Sequence, residues 1–290
     1  MHFFTLHFEI KILSKVLCFF LLFIGVENAG FAQKSIYAQE LELKNLFENL
    51  GQASTDSLRF HLNEKVCQGM RKVLSNDSSF YYSFDELRRM GKIASPDGNL
   101  RLYNWNFVRE DGTNQYFGFL QRKKGKNKVE IFELLDGNGK YKGDVTHLSR
   151  SRSWLGALYY QIVPFKSKGA NYYLLLGWDG NDHSTTRKVI EVLHINKKGM
   201  VQFGGPLIQW HGKRLHRVVF EYAKQARMTL RYSEREKRVV FDHLSPSSPR
   251  YRGQFEYYGP DFSQDALILE KGIWKLIENV DARNAEIKKK

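Results

Sequence analysis

The sequence predicts a mainly β, α+β fold, in which an antiparallel meander curls into a sandwich or an open barrel behind an N-terminal helical segment. Apolar residues repeat at helical spacing up to Gly91, and from Lys92 onward the repeat changes to two and turn residues become dense. Three runs rich in Tyr, Val, Ile and Leu follow one another between Ala157 and Ile195, separated by short turns. This is the pattern of consecutive antiparallel strands.

Residues 1–32 have the pattern of a secretory signal peptide. Lys11 and Lys15 precede an apolar run over residues 16–26. Its length of about eleven residues is typical of a signal-peptide h-region and short of the roughly 20 residues of a transmembrane helix. The leader ends in Gly-Phe-Ala, which places small residues beside the expected cleavage site. We therefore expect cleavage after Ala32 and export to the periplasm or the extracellular space; a buried or amphipathic N-terminal helix is the alternative.

Residues 33–91 are predicted to form a helical segment. Apolar residues three, four and seven apart indicate one helix from Ser35 to Leu50, which Gly51 ends. A stripe of the same kind indicates a second helix from about Thr55 to Leu74. The capping-box sequence SFDE then predicts a short third helix over residues 83–90.

Residues 92–281 are predicted to form one β-rich domain of about fourteen strands, followed by a charged tail over residues 282–290. The run NYYLLLGWDG, which begins at Asn171, is the most hydrophobic after the leader. We expect it to be a central strand flanked by its sequence neighbours. No linker rich in Gly, Ser or Pro divides this part of the sequence.

A small β-propeller is the alternative fold. The sequence Asp-Gly-Asn at Asp97 recurs at Asp179, and Pro260-Asp261 follows at the same interval, since 179 − 97 and 261 − 179 are both 82. Such an interval equals two blades of roughly 40–45 residues. The flanking sequences do not align, and about fourteen strands make only three or four blades. The sandwich or open barrel is therefore preferred.

The composition is strongly basic, with 45 Lys and Arg against 31 Asp and Glu and a formal net charge of +14. Such a balance favours anionic glycan or lipid surfaces as partners, and with a secretory leader nucleic acid is not expected. The basic residues lie in turns such as residues 122–126, so solvated turns with a solubilising charge are the preferred interpretation. No run after the leader approaches transmembrane length, so no transmembrane anchor is expected in the mature chain.

Cys67 is the one cysteine that remains after removal of the leader, so no intramolecular disulfide is expected. It lies beside Val66 and three residues before Met70 in the apolar stripe of the second helix. This position predicts a buried structural thiol, with a reactive nucleophile as the alternative.

Catalytic and metal-binding motifs are missing from the sequence. It has no G-x-S-x-G elbow, no H-E-x-x-H helix and no phosphate-binding loop, so no catalytic residue, cofactor or metal is predicted. His211 and His216 are five apart but have no Cys or carboxylate beside them. Residues 136–140 resemble a calcium loop but carry Lys140 at a ligand position, and residues 149–154 are a basic loop that suits an anion or only solvent.

The ligand-binding hypothesis falls on the polar turn after the central strand, at Trp178, Asp179, Asn181, Asp182 and His183. A Trp ring beside carboxylates is typical of clefts that bind sugars, and the carboxylates and His183 offer acid–base groups. As a calcium loop the turn lacks the glycine and the final Glu of an EF-hand, because Ser184 and Ile190 stand there. A strand end followed by a hairpin turn is the simpler interpretation.

The leader ending in Gly-Phe-Ala-Gln, with ALYYQIVP, LLGWDG and YYGPDF downstream, is similar to a family of uncharacterised exported bacterial proteins. The resemblance covers most of the mature chain. It implies an exported, β-rich protein and brings no activity, site or ligand.

Three functions are compatible with these observations. The first is a non-enzymatic exported protein of the bacterial envelope with a binding or structural role. The second is a glycan-directed hydrolase that uses the carboxylates near Asp179, which requires two carboxyl groups roughly 5–10 Å apart in a cleft. The third is a binder of anionic membrane or glycan surfaces, whose association weakens with salt.

Overall fold

Two α-helices precede three β-sheets in the computed structural model, which describes residues 35–125, 128–137, 145–196 and 198–280. Strands make up 47% of the structure, and the pairing is antiparallel except between one pair of strands. None of the sheets in these described ranges closes into a barrel. The predicted mainly β fold is confirmed in its sandwich form. The predicted signal peptide and charged tail lie outside the described residues.

Both long helices form where they were predicted. Helix α1 spans residues 35–52, and α2 spans Asp56–Leu74. Thr55 Oγ1 accepts a hydrogen bond from the Leu58 amide at 3.3 Å and so satisfies one of the free donors of the first turn. Cys67 lies on the buried side of α2, and burial raises the pKa of its thiol to about 12. The thiol therefore stays protonated and acts as part of the core.

The predicted third helix over residues 83–90 is wrong. These residues form turns, and Phe84 has a left-handed backbone with φ of 56°. A capping box requires the Glu86 amide to donate to the Ser83 hydroxyl. Instead, the amide donates to Glu40 Oε1 of α1 at 2.8 Å. The helix is lost because a carboxylate from another element takes the donor that its first turn needs.

Sixteen strands, numbered in chain order, form the three sheets of the described chain. The first sheet has the order β1-β2-β3-β4, with strands Gly91–Ala94, Leu100–Val108, Asn114–Lys123 and Val129–Leu135. The middle sheet has the order β5-β9-β8-β7-β6, with strands β5 Ser149–Arg150, β6 Leu158–Ser167, β7 Ala170–Asp179, β8 Thr185–Ile195 and β9 Val201–Phe203, and β12 Arg217–Ala223 also pairs with β8. The third sheet has the order β11-β10-β16-β15-β14-β13, with strands β10 Ile208–Trp210, β11 Lys213–Leu215, β13 Leu230–Ser233, β14 Arg238–Pro246, β15 Tyr258–Glu270 and β16 Ile273–Ile277.

The helices and sheets stack as four layers around three hydrophobic cores. On the first sheet, Trp105 packs against the helices, whereas Leu102 on the same strand packs against the middle sheet. The opposite face of the middle sheet, with Leu176, packs against Trp274 and its neighbours in the third sheet. The middle sheet is therefore covered on both faces. Short 3-10 helices lie in the connections between elements, at Asp77–Tyr81, Ser151–Ser153, Pro249–Tyr251 and Phe255–Tyr257.

Strand β7 is the central strand that the sequence predicts, paired with β6 on one side and β8 on the other. Leu174 and Leu176 enter one core, and Tyr173 and Leu175 enter the other. Consecutive apolar residues are expected where both faces of a strand are buried. The sheets pack face to face and are not arranged as radial blades, so the propeller alternative is wrong.

A buried ion pair lies in the core between the first and middle sheets. Arg217 and Glu191 are direct partners across β12 and β8, with Nε and Oε1 2.7 Å apart and neither side chain exposed. Tyr159 donates its hydroxyl hydrogen to the second oxygen of Glu191, and the Trp154 indole donates to the Tyr159 hydroxyl at 3.2 Å. Two opposite charges thus meet inside an aromatic core. Neither is tolerable there without the other.

We expect Glu191→Gln to lower the free energy of unfolding by about 3–5 kcal/mol, because it removes the carboxylate charge that faces the buried Arg217 guanidinium. Denaturant unfolding followed by circular dichroism measures this change. Glu234→Gln is the matched control, since Glu234 and Lys237 form an exposed pair at 2.9 Å, and it should leave stability unchanged.

The double variant Glu191→Leu with Arg217→Met removes both charges and should recover most of the lost stability. Equal effects of Glu191→Gln and Glu234→Gln would show that the buried pair does not hold the middle sheet.

Candidate functional site

The predicted ligand-binding residues lie in and beside the turn that joins β7 to β8. Asp179 is the last residue of β7, and it is buried, with 3% of its surface exposed. Its Oδ1 accepts hydrogen bonds from the Tyr116 hydroxyl at 2.8 Å and from the Asn181 amide at 2.9 Å. The Gly180 amide in turn donates to the Tyr116 hydroxyl at 2.7 Å. Asp179 therefore closes a hydrogen-bonded ring between the first and middle sheets.

Asn181 shapes the turn from inside. Its φ of 47° lies in the left-handed region, which Asn adopts more readily than most residues. Its Nδ2 donates to Thr185 Oγ1 at 2.6 Å and to Asp182 Oδ2 at 2.9 Å, and the residue is buried. The side-chain amide is thus bonded within its own loop.

Asp182 organises the outer part of the turn. Its Oδ1 accepts the backbone amides of Ser184 and Thr185, each at 2.8 Å. Burial opposes ionisation of this carboxyl, but the amide donors outweigh burial and hold the pKa of Asp182 below its usual value. Lys224 Nζ donates to the carbonyl oxygens of Gly180 and Asp182 at 2.6 and 2.8 Å. The turn is bonded to β12 as well as to itself.

Arg187 joins the inner carboxylates. It is the direct partner of Asp179 across β7 and β8 and of Glu221 across β8 and β12. Its guanidinium lies 3.7 Å from Asp179 Oδ2 and 2.7 Å from Glu221 Oε2. This basic residue neutralises the acidic cluster from within the sheet.

Trp178 and His183 do not join this cluster. Adjacent residues of a strand point to opposite faces, so Trp178 lies on the other side of β7 from Asp179. The His183 ring packs against Gly112 in the β2–β3 hairpin, where a Cβ atom would lie 1.9 Å from its Nε2. The structure therefore brings Asp179, Asn181 and Asp182 together as a structural turn. The Trp178 ring packs against Gly180 of this turn, 2.9 Å from where a Cβ atom would lie, and the His183 ring lies against the β2–β3 hairpin.

The other candidates from the sequence also take structural positions. His211 stands in the turn between β10 and β11 with φ of 45°, and no group of three or more metal-binding side chains occurs among the residues described. In the basic loop, Ser149 is buried and contacts Arg217 at 3.4 Å, and Trp154 is fully buried. Residues 138–140 of the second calcium-like loop lie outside the described residues.

A cavity that the sequence did not indicate opens between α1, the start of α2 and β2. Its volume is about 480 Å³. Ten residues line it: Phe47, Leu50, Gly51, Ala53, Arg59, Arg89, Trp105, Asn106, Phe107 and Val108. Aromatic and aliphatic side chains make up most of the wall, and two guanidinium groups supply its charge. This combination matches the general character of small-molecule sites.

The two arginines differ in their partners. Arg59 is 2.9 Å from Asp56 within the first turn of α2. Arg89 is exposed, and among the described residues its guanidinium has no ion pair or hydrogen bond. It lies flat against Gly51 near the end of α1, where a Cβ atom would be 2.6 Å from Nη1 and 2.8 Å from Cζ. Arg89 is therefore a cation held in place by packing and open to an anion.

The cavity wall is fixed by a bond from the second helix. Trp105 Nε1 donates to Asn63 Oδ1 at 2.8 Å, and the Phe47 ring packs edge-on against the Trp105 ring with centroids 5.4 Å apart. Both Trp105 and Asn63 are buried. A ring fixed in this way presents a preformed apolar surface to the cavity.

Comparison with protein-family models, with curated proteins and with solved structures found no match to this chain. Within the described residues, no helix is long and apolar enough to cross a membrane.

We expect millimolar calcium to leave the melting temperature unchanged, because Asp179 and Asp182 already accept hydrogen bonds within the turn. Asp182→Asn should lower stability by about 1 kcal/mol at neutral pH, since the amide is a poorer acceptor for the two backbone donors. Thermal unfolding with and without calcium measures both effects.

The destabilisation of Asp182→Asn should disappear in acid. A carboxyl whose folded-state pKa is depressed stabilises the fold above its unfolded pKa, near 3.8, and loses that contribution as pH falls through the lower folded value. A melting temperature that rises with calcium would contradict the structural interpretation of the turn.

Proposed function

We propose that the chain is a non-enzymatic exported binding protein of the bacterial envelope, which holds a small anion with an apolar body in the cavity beside α1. The observation that carries this proposal is the cavity of about 480 Å³, whose aromatic wall meets the guanidinium of Arg89, a group with no partner in the part of the chain that the structure describes. The apolar wall would take the body of such a ligand, and Arg89 its carboxylate or sulfonate. The net charge of +14 favours the same sign of ligand.

Hydrolysis is less well supported than binding. Hydrolysis of a glycosidic bond requires two carboxylates that converge on one cleft. Instead, Asp179 accepts a hydrogen bond from Tyr116 of β3, and Asp182 accepts one from the Ser184 amide of its own turn. The residues that line the cavity include no Asp or Glu.

Export is part of the proposal and depends on the sequence pattern of residues 1–32. Sequencing of the N terminus of the protein recovered from a bacterial periplasm tests it, with Gln33 as the expected first residue. If residues 1–32 are retained, the export part of the proposal fails and the binding part stands.

Decanoate and decanol are a matched pair of probes, because they share an apolar chain and differ in charge. We expect decanoate to bind the full chain about five- to tenfold more tightly than decanol, as a charge-assisted contact adds on the order of 1 kcal/mol at a partly exposed site. Titration calorimetry measures both. The preference should be lost in Arg89→Ala and kept in Arg88→Ala, an exposed neighbour outside the cavity.

Gly51→Ala is a second test that separates binding from folding. The new methyl group would lie 2.6 Å from Arg89 Nη1 and must displace the guanidinium. Alanine is favoured over glycine by up to about 1 kcal/mol within a helix, so the melting temperature should stay the same or rise. Affinity for decanoate should fall severalfold. Equal affinity of the variant and the parent chain would contradict the assignment of Arg89.

A further inference from the structure

Four hairpin turns from the three sheets lie side by side at one end of the stacked layers. The β8–β9 turn reaches the first sheet, because a Cβ atom on Gly199 would lie 3.5 Å from Arg122 Nη2 at the β3–β4 hairpin. The β15–β16 turn reaches the β6–β7 turn of the middle sheet. A Cβ atom on Gly272 would lie 2.8 Å from the Lys166 carbonyl oxygen and 2.8 Å from Ser167 Cα. Turns that are far apart in the sequence therefore share one surface.

Lysine is the residue that these turns have in common. Six exposed lysines form what we call the lysine face: Lys124 and Lys128 in the β3–β4 hairpin, Lys166 and Lys168 in β6–β7, Lys198 in β8–β9 and Lys271 in β15–β16. Within the described part of the chain, Lys124 alone among them has an ion pair, with Glu130 at 3.8 Å. The lysines are scattered along the chain, and only the packing of the sheets brings them together.

The acidic residues at this end leave most of that charge uncompensated. The four glutamates described there have cations of their own: Glu130 pairs with Arg122, Glu270 with Lys275, Glu234 with Lys237 and Glu236 with Arg238. Two aspartates oppose the lysines, and each is bonded to neutral groups of the fold. Asp97 accepts the Tyr173 hydroxyl at 3.1 Å, and Asp77 accepts the Val129 amide at 2.8 Å. The lysine face therefore remains positive and attracts anions.

Two of the lysines occupy backbone positions that suit other residues better. Lys168 and Gly169 close the β6–β7 turn with φ of 47° and 76°, and Lys271 and Gly272 close the β15–β16 turn with φ of 49° and 79°. Two-residue turns with both φ values positive favour Asn-Gly, and a lysine in the left-handed region is strained. Both hairpins thus carry a cation at the tip, where asparagine would fit the backbone better.

The lysine face is spread over the ends of three sheets and does not form the wall of a described cavity. None of its lysines lines the cavity beside α1 or the smaller cavity between β10 and β16. Lysine is a hydrated point charge on a flexible stem, whereas arginine is the residue that suits a defined bidentate contact. Apolar side chains stand beside these charges, since Met200 is 40% exposed in the β8–β9 turn and Tyr81 is 68% exposed under Lys123. Such a surface fits an extended anionic partner with an apolar layer beneath its charges.

We propose that the lysine face binds the surface of an anionic lipid bilayer, with the headgroup phosphates as the groups that it contacts. Each lysine near such a surface strengthens binding by about fivefold. The cavity beside α1 lies at the other end of β2, by Val108, whereas the lysine face adjoins the start of that strand, where Leu100 pairs with Arg122. The cavity therefore stays open to solvent while the lysine face is on a membrane. This proposal does not depend on the small-molecule function.

Sedimentation with lipid vesicles tests the proposal on the full chain. At about 0.1 M salt we expect the chain to bind phosphatidylcholine vesicles with about 30% phosphatidylglycerol at least about tenfold more tightly than pure phosphatidylcholine vesicles. Salt at about 1 M should release it, because the screening length falls to roughly 3 Å. The apolar run of residues 16–26 meets both vesicle types, so the difference between them reports the charge. Equal binding to both, or binding that salt does not weaken, would overturn the proposal.

The double variant Lys168→Asn with Lys271→Asn separates binding from folding. It removes two charges and gives both turns a residue that suits their backbone, so the melting temperature should stay the same or rise. Affinity for the anionic vesicles should fall at least about fivefold. Lys65→Gln with Lys213→Gln is the matched control, because it removes two exposed charges from α2 and from the opposite end of the third sheet. The control should change the affinity by less than about twofold. Equal losses in the two variants would show that net charge alone acts.

A sulfated glycan is the competing partner for the same lysines, and a heparin column identifies it. Retention on heparin by a chain that does not sediment with anionic vesicles would overturn the membrane proposal in favour of a polyanionic glycan. The vesicle and decanoate experiments use different probes and different variants, so either proposal can fail alone.

Discussion

The buried Arg217–Glu191 ion pair is the interaction on which the arrangement of layers depends. Both charges lie inside the core between the first and middle sheets, and each is acceptable there only while paired. The two residues are direct partners across β8 and β12, so any slip of one residue in that register would turn one charge to the opposite face. The pair therefore fixes β12 to the middle sheet. Because β12 also supports one side of the core shared with the third sheet, the same register positions the C-terminal half of the chain.

The elements predicted well are those whose local pattern agrees with their environment. Helices α1 and α2 show clear apolar stripes, and β7 has consecutive apolar residues at Leu174, Leu175 and Leu176 because cores lie on both of its sides. The helix predicted over residues 83–90 failed because Glu40, far away in sequence, binds the amide that the capping box needs. No local sequence pattern indicates that Glu191 is buried. A single acid in the run RKVIEVLHI suggests a solvent-facing position, and only its partner Arg217 explains its burial.

The candidate sites, too, could be predicted from the sequence only in part. The turn after β7 could be located from the sequence, but the direction of its side chains could not. Tyr116 of β3 determines that direction, together with Glu221 of β12 and Lys224 just after it. The cavity beside α1 had no sequence signal because it combines residues from the helices, a connecting turn and β2. Gly51 was interpreted as a helix end, and Arg89 was assigned to a helix that does not form. Their contact, which brings the Arg89 guanidinium to the cavity wall, exists only in the folded chain.

The position of the cavity beside α1 follows from how the layers pack against one another. Apolar side chains fill the space between facing sheets. At the β7–β8 turn, polar side chains fill it instead. An opening remains where regular structure is interrupted, because the cavity lies where α1 ends against β2. There Arg89 has no acidic partner among the described residues, whereas the buried Arg217 is paired with Glu191. A cation at such an opening is within reach of an anion from solvent, whereas a cation in the core is held by its partner.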